Sequence, residues 1–385
     1  RIQNVRLPVP INSHQEKDLW LVVLDDDHFV TSVEPMPSGD IFSGESWEGD
    51  WLSPRAIDLQ FNGGLGISFN DINFNDLPHL FTLLERLWSD GVEGICPTFV
   101  SCDVKSLKKG LEVLHEARKS DSFNRCKLLG AHLEGPFLAR ERKGAHSLNC
   151  LCKPSLNALD ERIKGFEKDI ALVTLAPELD GALDVIKKLK SLGIVVSLGH
   201  SSANAEQSSH AFKEGVSMLT HAFNAMAGIH HRSPGPVVEA IANENISIGL
   251  IADGIHVHPK MAVLLQRLVL DRLVLVSDAI SPYGLKEGVY PWDNRLVHVK
   301  ADICSLEDGT LVGTTVPILE ACKKLALWSQ APAAAIWAAT VAPRRVIGDK
   351  KSIADYFLGK PFDHLLRWQI KPNLGKSSLS WHCAV

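Results

Sequence analysis

From about residue 55 onward, the chain repeats one pattern, in which a short apolar run is followed by an amphipathic segment. Eight apolar runs predict strands: Ala56–Gln60, Gly94–Val100, Lys127–Glu134, Ala171–Ala176, Ile194–Gly199, Ser217–His221, Ile246–Ala252 and Leu273–Asp278. Between them, apolar residues recur at helical spacing, as at Leu77, Leu80, Leu84 and Leu87. Because parallel strands need a crossover longer than a hairpin, this alternation predicts a parallel sheet.

Eight strand–helix units fit an α/β fold of the closed (β/α)8 type, a TIM-like barrel. The alternative is an open doubly wound sheet. No G-x-G-x-x-G motif follows the first strand, however, and polar residues of catalytic type end many strands instead of meeting at one switch point. Segment 282–312 is predicted to form hairpins inserted after the eighth strand, and helices near 315–329 and 331–340 are expected to complete the outer ring.

The two ends of the chain follow a different pattern. Alternating runs at Leu19–Leu24 and Phe29–Val33 are broken by Pro and Gly, which is typical of antiparallel strands. The residues after 342 are also short and strand-like. We therefore expect residues 1–54 and 343–385 to join in a small β-sandwich domain beside a barrel of residues 55–342.

The composition excludes several classes of protein. Among 385 residues, 45% are hydrophobic and 22% charged, as in a globular protein with a large core. The net charge is only −5 and the basic residues are scattered, so we expect no nucleic-acid partner. No apolar run approaches the roughly 18–20 residues of a membrane span, and the N-terminal RIQNVRLPVP lacks a signal peptide's apolar stretch. The eight widely spaced cysteines are interpreted as reduced thiols of a cytoplasmic protein.

Candidate metal ligands end three of the predicted strands. Glu134 ends the third strand in GAHLEGPF, His200 the fifth in VVSLGHSS, and His221 the sixth in MLTHAFNAM. A single histidine at a strand end is more often a hydrogen-bonded structural residue. Because a barrel gathers its strand ends at one rim, the three together predict a site for a divalent metal such as Zn²⁺, with an open position for water.

Asp278 ends the eighth strand in LVLVSDAI and would face the same rim. An aspartate there could be a helix N-cap or a turn former. A metal that lowers the pKa of its bound water also needs a nearby carboxylate to carry the proton. We therefore interpret Asp278 as a general base and acid.

The chain carries a series of motifs in order: IDLQFNGGLG, GAHLEGPFLARERKGAH, TLAPE, VSLGHSSANAE, THAFNAM, HHRSPGP, GLIADGIHVHP and LVSDAISPYGL. In these motifs it resembles the N-acetylglucosamine-6-phosphate deacetylases of the amidohydrolase superfamily, across nearly the whole barrel. The resemblance implies an enzyme of amino-sugar catabolism that hydrolyses the acetamide of N-acetylglucosamine 6-phosphate to glucosamine 6-phosphate and acetate. The chain departs from the family mostly after the eighth strand, where GTLVGTTVPILEAC is still similar but KKSIADYFLGKPFDHLLRWQIKPNLGKSSL matches the usual closing strands only loosely.

The resemblance also implies roles for the strand-end residues. Glu134, His200 and His221 match the family's metal ligands, and Asp278 matches its acid and base. Many superfamily members bind a second metal through His-x-His on the first strand, where this chain has Gln60 and Asn62. Amides are poor ligands beside imidazole, so we expect one divalent ion, with Zn²⁺ favoured over Fe²⁺, Co²⁺ or Mn²⁺. Gln60 and Asn62 would then line the substrate site.

Further residues match the family's substrate contacts. His146 resembles the histidine that contacts the sugar and helps hold the acyl group, although its loop setting equally suits a surface histidine. Asn224, Ala225 and Arg232 resemble the phosphate-binding segment. His256 corresponds to a histidine lent by the neighbouring subunit, which implies a homodimer.

Two alternatives stay open. The first is another amidohydrolase acting on a cyclic amide or a nucleobase, which would favour His-x-His on the first strand and often a metal-bridging lysine on the fourth. The second is a non-catalytic homologue that only binds amino-sugar phosphates, against which the intact set of Glu134, His200, His221 and Asp278 argues.

Overall fold

A computed structural model describes residues 1–36, 44–120, 122–373 and 376–385. Its strands are β1 (Ile2–Val5), β2 (Trp20–Leu24), β3 (Val30–Pro35), β4 (Glu45–Ser46), β5 (Trp51–Ser53), β6 (Ala56–Phe61), β7 (Gly63–Gly64), β8 (Ile67–Ser68), β9 (Val92–Val100), β10 (Lys127–Leu128), β11 (Ala131–Glu134), β12 (Ile170–Leu175), β13 (Val195–Leu198), β14 (Val216–Leu219), β15 (Ser247–Leu250), β16 (Leu273–Leu275), β17 (Gly288–Trp292), β18 (Arg295–Lys300), β19 (Ile303–Ser305), β20 (Leu366–Asn373) and β21 (Lys376–Cys383). Its α-helices are α1 (Leu77–Ser89), α2 (Val104–Arg118), α3 (Leu156–Ile163), α4 (Ala182–Ser191), α5 (Ala205–Glu214), α6 (Gly235–Ala242), α7 (Pro259–Val269), α8 (Ile318–Ser329), α9 (Pro332–Thr340) and α10 (Ala342–Val346).

The predicted barrel is confirmed. Strands β6, β9 and β11 to β16 pair in parallel in chain order, and each overlaps one predicted apolar run. The ring closes between the eighth and first strands, where the amide of Asp278 donates to the Gln60 carbonyl at 2.9 Å and Ala279 bridges Phe61. The third predicted run is broken: Lys127–Leu128 pairs with β9 as a separate short strand before β11 begins.

Helices cover the outside of the barrel, and most of them bury one apolar stripe, whereas α9 is buried at every position from Ala333 to Thr340. In α1, the buried residues Leu80, Leu83, Leu84 and Leu87 follow helical spacing, and they belong to the large core that also contains the outward side chains of the strands. Gly91 follows α1 with φ of 83°, in the left-handed region that a helix C-terminus commonly uses. Helices α8 and α9 match the two predicted near 315–329 and 331–340.

Both chain ends contribute to a second, smaller core. The sheet of β1 to β4 lies here, and the predicted strands near Leu19–Leu24 and Phe29–Val33 are confirmed as β2 and β3. The strands β20 and β21 instead bury Leu366, Trp368 and Leu379 in the large core of the barrel. Trp47 from the N-terminal part packs with Phe362 from the C-terminal part. The division into residues 1–54 with 343–385 and residues 55–342 stays a prediction, since α10 packs against the barrel strands β6 and β16.

Segment 282–312 forms an antiparallel sheet of β17, β18 and β19, as predicted. Its buried face, with Val297, Val299 and Cys304, packs on Ile280 and Val312 next to the barrel's C-terminal rim. All eight cysteines are unpaired thiols. Among the described residues, no helix has both the length and the apolar character needed to cross a membrane.

Candidate active site

A carboxylate and two imidazoles meet at the C-terminal rim of the barrel. Glu134 ends β11, and His200 and His221 lie just beyond β13 and β14. The Nε2 atoms of His200 and His221 lie 3.3 Å and 3.0 Å from Oε1 of Glu134 and 3.2 Å from each other. All three residues are buried, and their ligand atoms lie within 4.8 Å of one another. Three ligands of this chemistry around one point can hold a divalent metal ion.

The orientation of His200 fits metal binding. Its Nδ1 lies 2.8 Å from the backbone carbonyl oxygen of Arg142, which can only accept. Nδ1 therefore carries the proton, and the lone pair of Nε2 faces Glu134 and His221. Burial alone would raise the pKa of Glu134, but the hydrogen bonds and charges of the surrounding imidazoles hold it well below its usual range. The site therefore offers an ionised carboxylate and an imidazole lone pair to a cation.

Asp278 lies opposite the candidate metal ligands and accepts hydrogen bonds from two amide side chains. Its Oδ1 accepts from Nδ2 of Asn62 at 2.7 Å and from Nε2 of Gln60 at 3.1 Å. The same Gln60 nitrogen also donates to Oε1 of Glu134 at 3.0 Å. Burial raises the pKa of Asp278 to about 6, and the negative charge of Glu134 adds to the effect. Asp278 is therefore a carboxyl group that can both take and return a proton near neutral pH.

A buried hydrogen-bonded network supports the ligands from inside the barrel. Nε2 of His132 lies 2.7 Å from Oγ1 of Thr174, which lies 2.8 Å from Oγ1 of Thr220. Thr220 precedes His221, and His132 stands two residues before Glu134. Burial lowers the pKa of His132 to about 4, so its ring is neutral. A satisfied network of neutral groups stiffens the backbone that carries two of the three ligands.

His146 is buried beside the ligands and is not a surface residue, so that alternative reading was wrong. Its Nε2 lies 3.6 Å from Oε2 of Glu134. The backbone amide of Ser101 donates to its Nδ1 at 3.2 Å, which leaves the proton on Nε2. Burial lowers the pKa of His146 to about 4. His146 is therefore a neutral imidazole that points a donor at the site.

These side chains line one cavity of about 200 Å³. The predicted site residues that line it are Asn62, Glu134, His146, His200, His221, Asn224, Ala225, His256 and Asp278. Gln60 is buried behind them, at 2% exposure, and is bonded to the two carboxylates. The structure thus brings together ten of the residues that the sequence singled out.

The positions of two residues within this single chain differ from what the resemblance implies, and their roles stay predictions. His256 was expected to be lent to the neighbouring subunit, but its ring lines the cavity of its own chain and bonds to Asp253. Arg232 was expected beside Asn224 and Ala225, but it is exposed and does not line the cavity that they line. Both expectations depended on how loops are placed in space, which residue patterns do not determine.

Several cavity residues were missed. Trp292 comes from the inserted sheet, and Leu311, Val312 and Gly313 follow it. The last three lie in the segment GTLVGTTVPILEAC, whose resemblance to the family was the local signal for them. Nothing in the sequence around Trp292 marks it as a cavity residue, because it reaches the rim only through the fold of the insertion.

A TIM-like barrel with a Glu/His/His group at its C-terminal rim and a carboxylate held opposite has the arrangement of a metal-dependent hydrolase. The comparisons with known proteins narrow the class. No family model matches the sequence. The N-acetylglucosamine-6-phosphate deacetylase of Vibrio furnissii is 31% identical over 310 residues, which cover 80% of this chain and 77% of that protein. The chain belongs to the N-acetylglucosamine-6-phosphate deacetylase family of amidohydrolases.

Other relatives agree on the class. The deacetylase of the same name from Caenorhabditis elegans is 36% identical over 274 residues, which cover 68% of this chain and 65% of that protein. An N-acetylgalactosamine-6-phosphate deacetylase from Escherichia coli O157:H7 is 31% identical over 324 residues, 84% of each chain. The crystal structure of N-acetylglucosamine-6-phosphate deacetylase from Pasteurella multocida superposes with a TM-score of 0.80 at 25% identity and covers 99% of both chains.

Proposed function

We propose that this protein hydrolyses the acetamide of N-acetylglucosamine 6-phosphate and releases glucosamine 6-phosphate and acetate. One observation carries the proposal: Glu134, His200, His221 and Asp278, from four different strand ends, line a single cavity. The names of the relatives support the choice of substrate. The arrangement also argues against a non-catalytic homologue, because binding a sugar phosphate needs neither a metal site nor a carboxyl group with a raised pKa.

In this proposal Glu134, His200 and His221 hold one divalent ion, with Zn²⁺ favoured and Fe²⁺, Co²⁺ or Mn²⁺ as alternatives. When bound, such an ion lowers the pKa of a water molecule and polarises the acetamide carbonyl. The amide nitrogens of Gln60 and Asn62 donate to the two carboxylates, and amides are poor ligands beside imidazole, which supports one ion over two. This use of the amides also counts against the cyclic-amide and nucleobase alternative, which would favour His-x-His at these positions.

Asp278 moves the proton. Held by Asn62 and Gln60, it takes a proton from the attacking water and then donates it to the nitrogen of the leaving amine, which departs poorly unless protonated. His146 points its Nε2 proton into the same cavity, where it can bond to the acyl oxygen or the sugar. The two groups therefore have separate tasks, proton transfer for Asp278 and orientation for His146.

For the phosphate we propose Asn224 and Ala225, which line the cavity on the loop after β14. Arg232 stays a predicted phosphate contact, although it does not line the cavity of this chain. An Arg232→Ala variant should then mainly weaken the use of the phosphorylated sugar, whereas equal loss on N-acetylglucosamine would remove Arg232 from the proposal. The homodimer and the cytoplasmic location stay predictions.

A second candidate substrate has a specific observation behind it. The relative from Escherichia coli O157:H7 that covers 84% of this chain is named for N-acetylgalactosamine 6-phosphate, which differs from the glucose form only in the orientation of one hydroxyl group. Acetate release should therefore be measured with both hexosamine phosphates. A higher kcat/KM for the galactosamine form would reassign the substrate without changing the reaction.

The proposed role of Asp278 is tested by Asp278→Asn, because an amide has the same shape but cannot carry the proton. We expect metal content and circular dichroism to stay unchanged while acetate release falls by about 100-fold or more. Asp26→Asn, in the exposed turn between β2 and β3, is the control and should keep full activity. Near wild-type turnover by purified Asp278→Asn would refute the role.

A further inference from the structure

Asp253 and His256 form a buried pair in the wall of the catalytic cavity. The side chain of Asp253 is 1% exposed and that of His256 is 8% exposed. Oδ2 of Asp253 lies 2.7 Å from Nδ1 of His256. Oδ1 accepts from the backbone amides of Ile255 at 2.8 Å and His256 at 2.9 Å. The carboxylate thus has three N–H donors, one of which is the imidazole.

The contact with Asp253 assigns a proton to Nδ1 of His256. Burial alone would raise the pKa of Asp253, but the hydrogen bond and charge of His256 and the two backbone amides lower it below its usual range. An ionised carboxylate can only accept, so Nδ1 of His256 carries a proton. Nε2, on the other edge of the ring, bonds to none of the residues that the structure describes. It is the polar atom that His256 can offer to a ligand in the cavity.

Local structure does not account for the carboxylate. The turn at residues 253–256 needs one acceptor for two backbone amides, and the side-chain oxygen of an asparagine would serve equally well. A buried charge costs free energy that a neutral amide does not. The second oxygen of Asp253 has only His256 as its partner among the described residues. The charge is therefore explained by the imidazole and not by the turn.

We propose that Asp253 is a positioning residue that holds His256 as the Nδ1-protonated form, so that Nε2 accepts a hydrogen bond from a hydroxyl group of the bound sugar. This assignment rests on the proposed deacetylase function. Asp253 itself does not touch the substrate. Because a hydroxyl away from the acetamide is bound before and during the reaction alike, loss of the contact should raise KM more than it lowers kcat.

The test uses Asp253→Asn, His256→Asn and the double variant, with metal loaded and both hexosamine phosphates as substrates. In Asp253→Asn the side-chain oxygen can still accept the two backbone amides, while the new NH₂ group would donate to Nδ1 and move the imidazole proton to Nε2. We expect kcat/KM of Asp253→Asn to fall about tenfold or more, mainly through KM. The double variant should match His256→Asn. Asp25→Asn is the matched control, since Asp25 also accepts two backbone amides, at 3.1 Å and 2.8 Å, but far from the cavity.

A second measurement does not depend on turnover. In protein labelled with ¹⁵N-histidine, the signals lost in His256→Asn identify His256, and their shifts report which nitrogen is protonated. We expect a protonated Nδ1 in the wild type and a protonated Nε2 in Asp253→Asn. A wild-type ring that lacks a proton on Nδ1 would overturn the proposal. The proposal would also fail if Asp253→Asn lowered kcat/KM as much in the His256→Asn background as in the wild type. If the wild type deacetylated neither sugar, the proposed function would fail while the shifts still tested the pair.

Discussion

Three of the four strand-end residues of the candidate active site hold backbone conformations that L-amino acids rarely adopt. The φ angles of His200, His221 and Asp278 are 48°, 24° and 50°. Each such residue costs about 1–3 kcal/mol, and the cost persists only where the surroundings impose it. Here the backbone turns sharply after a strand and directs the side chain across the barrel mouth. Their clustering at one rim is independent support for a functional site.

Gln60 donates hydrogen bonds to both carboxylates of the site, those of Glu134 and Asp278. Without its amide, the charges of Glu134 and Asp278 would face each other with one shared donor fewer. We expect Gln60→Leu to weaken metal retention and to lower kcat by about 10- to 100-fold, as for other residues that orient metal ligands. Elemental analysis and acetate release would measure the two effects.

Gln266 provides the matched control for that substitution. It is also buried, at 1% exposure, but neither its amide oxygen nor its nitrogen has a partner among the described residues. Because an unsatisfied buried amide costs about 1–3 kcal/mol, Gln266→Leu should keep full activity and raise or preserve the melting temperature. Wild-type metal content and kcat in Gln60→Leu would contradict the role given to Gln60.

At the scale of elements, the inserted sheet of β17 to β19 is part of the cavity wall. Trp292, at the end of β17, lines the cavity. Nη2 of Arg295, at the start of β18, donates to the backbone carbonyl of Ala145 at 2.6 Å, one residue before His146. The insertion is thus connected to the loop that carries His146.

We expect Arg295→Met to raise KM several-fold, because the sheet loses its bond to the His146 loop and Trp292 is held less firmly. Stability should change little, since Arg295 is partly exposed and such contacts contribute about 0–1 kcal/mol. Lys300→Met, on the exposed side of the same strand, is the control. Steady-state kinetics and thermal melting separate the two effects, and an unchanged KM would show that the contact is not needed.

Elements were predictable where one local rule decides them. The barrel strands are continuous apolar runs between amphipathic segments, so their number and order could be read from the sequence, and Glu134, His200, His221 and Asp278 followed because strand ends of a barrel share a rim. The limits of the strands were predicted less well: the run Leu273–Asp278 forms a regular strand only from Leu273 to Leu275. The roles of Trp292 and of the Arg142 carbonyl could not be predicted from the sequence, because each depends on contact with a distant part of the chain.

For the whole molecule, an ion cluster joins the barrel to the C-terminal part. Glu93, near the start of β9, pairs with Arg344 of α10 and accepts from Nζ of Lys360 at 2.9 Å on both oxygens. Segments far apart in sequence meet here, and no pattern around Glu93 predicts its partners. The cluster contributes to the association of the two cores and does not touch the catalytic cavity.

The cluster makes stability depend on pH with a definite sign. Burial alone would raise the pKa of Glu93, but Arg344 and Lys360 lower it to about 2. A carboxyl group with a lowered pKa stabilises the folded state fully above its unfolded pKa of about 4.3, and this contribution is lost as the pH falls toward 2.

Glu93→Gln should therefore be less stable than the wild type at pH 7, by on the order of 2 kcal/mol, and the difference should shrink between pH 5 and pH 3 as the wild type loses the same contribution. Urea unfolding across that range measures it, with the exposed Glu116→Gln on α2 as control. A difference that stays constant from pH 7 to pH 3 would show that the charge of Glu93 does not stabilise the folded state.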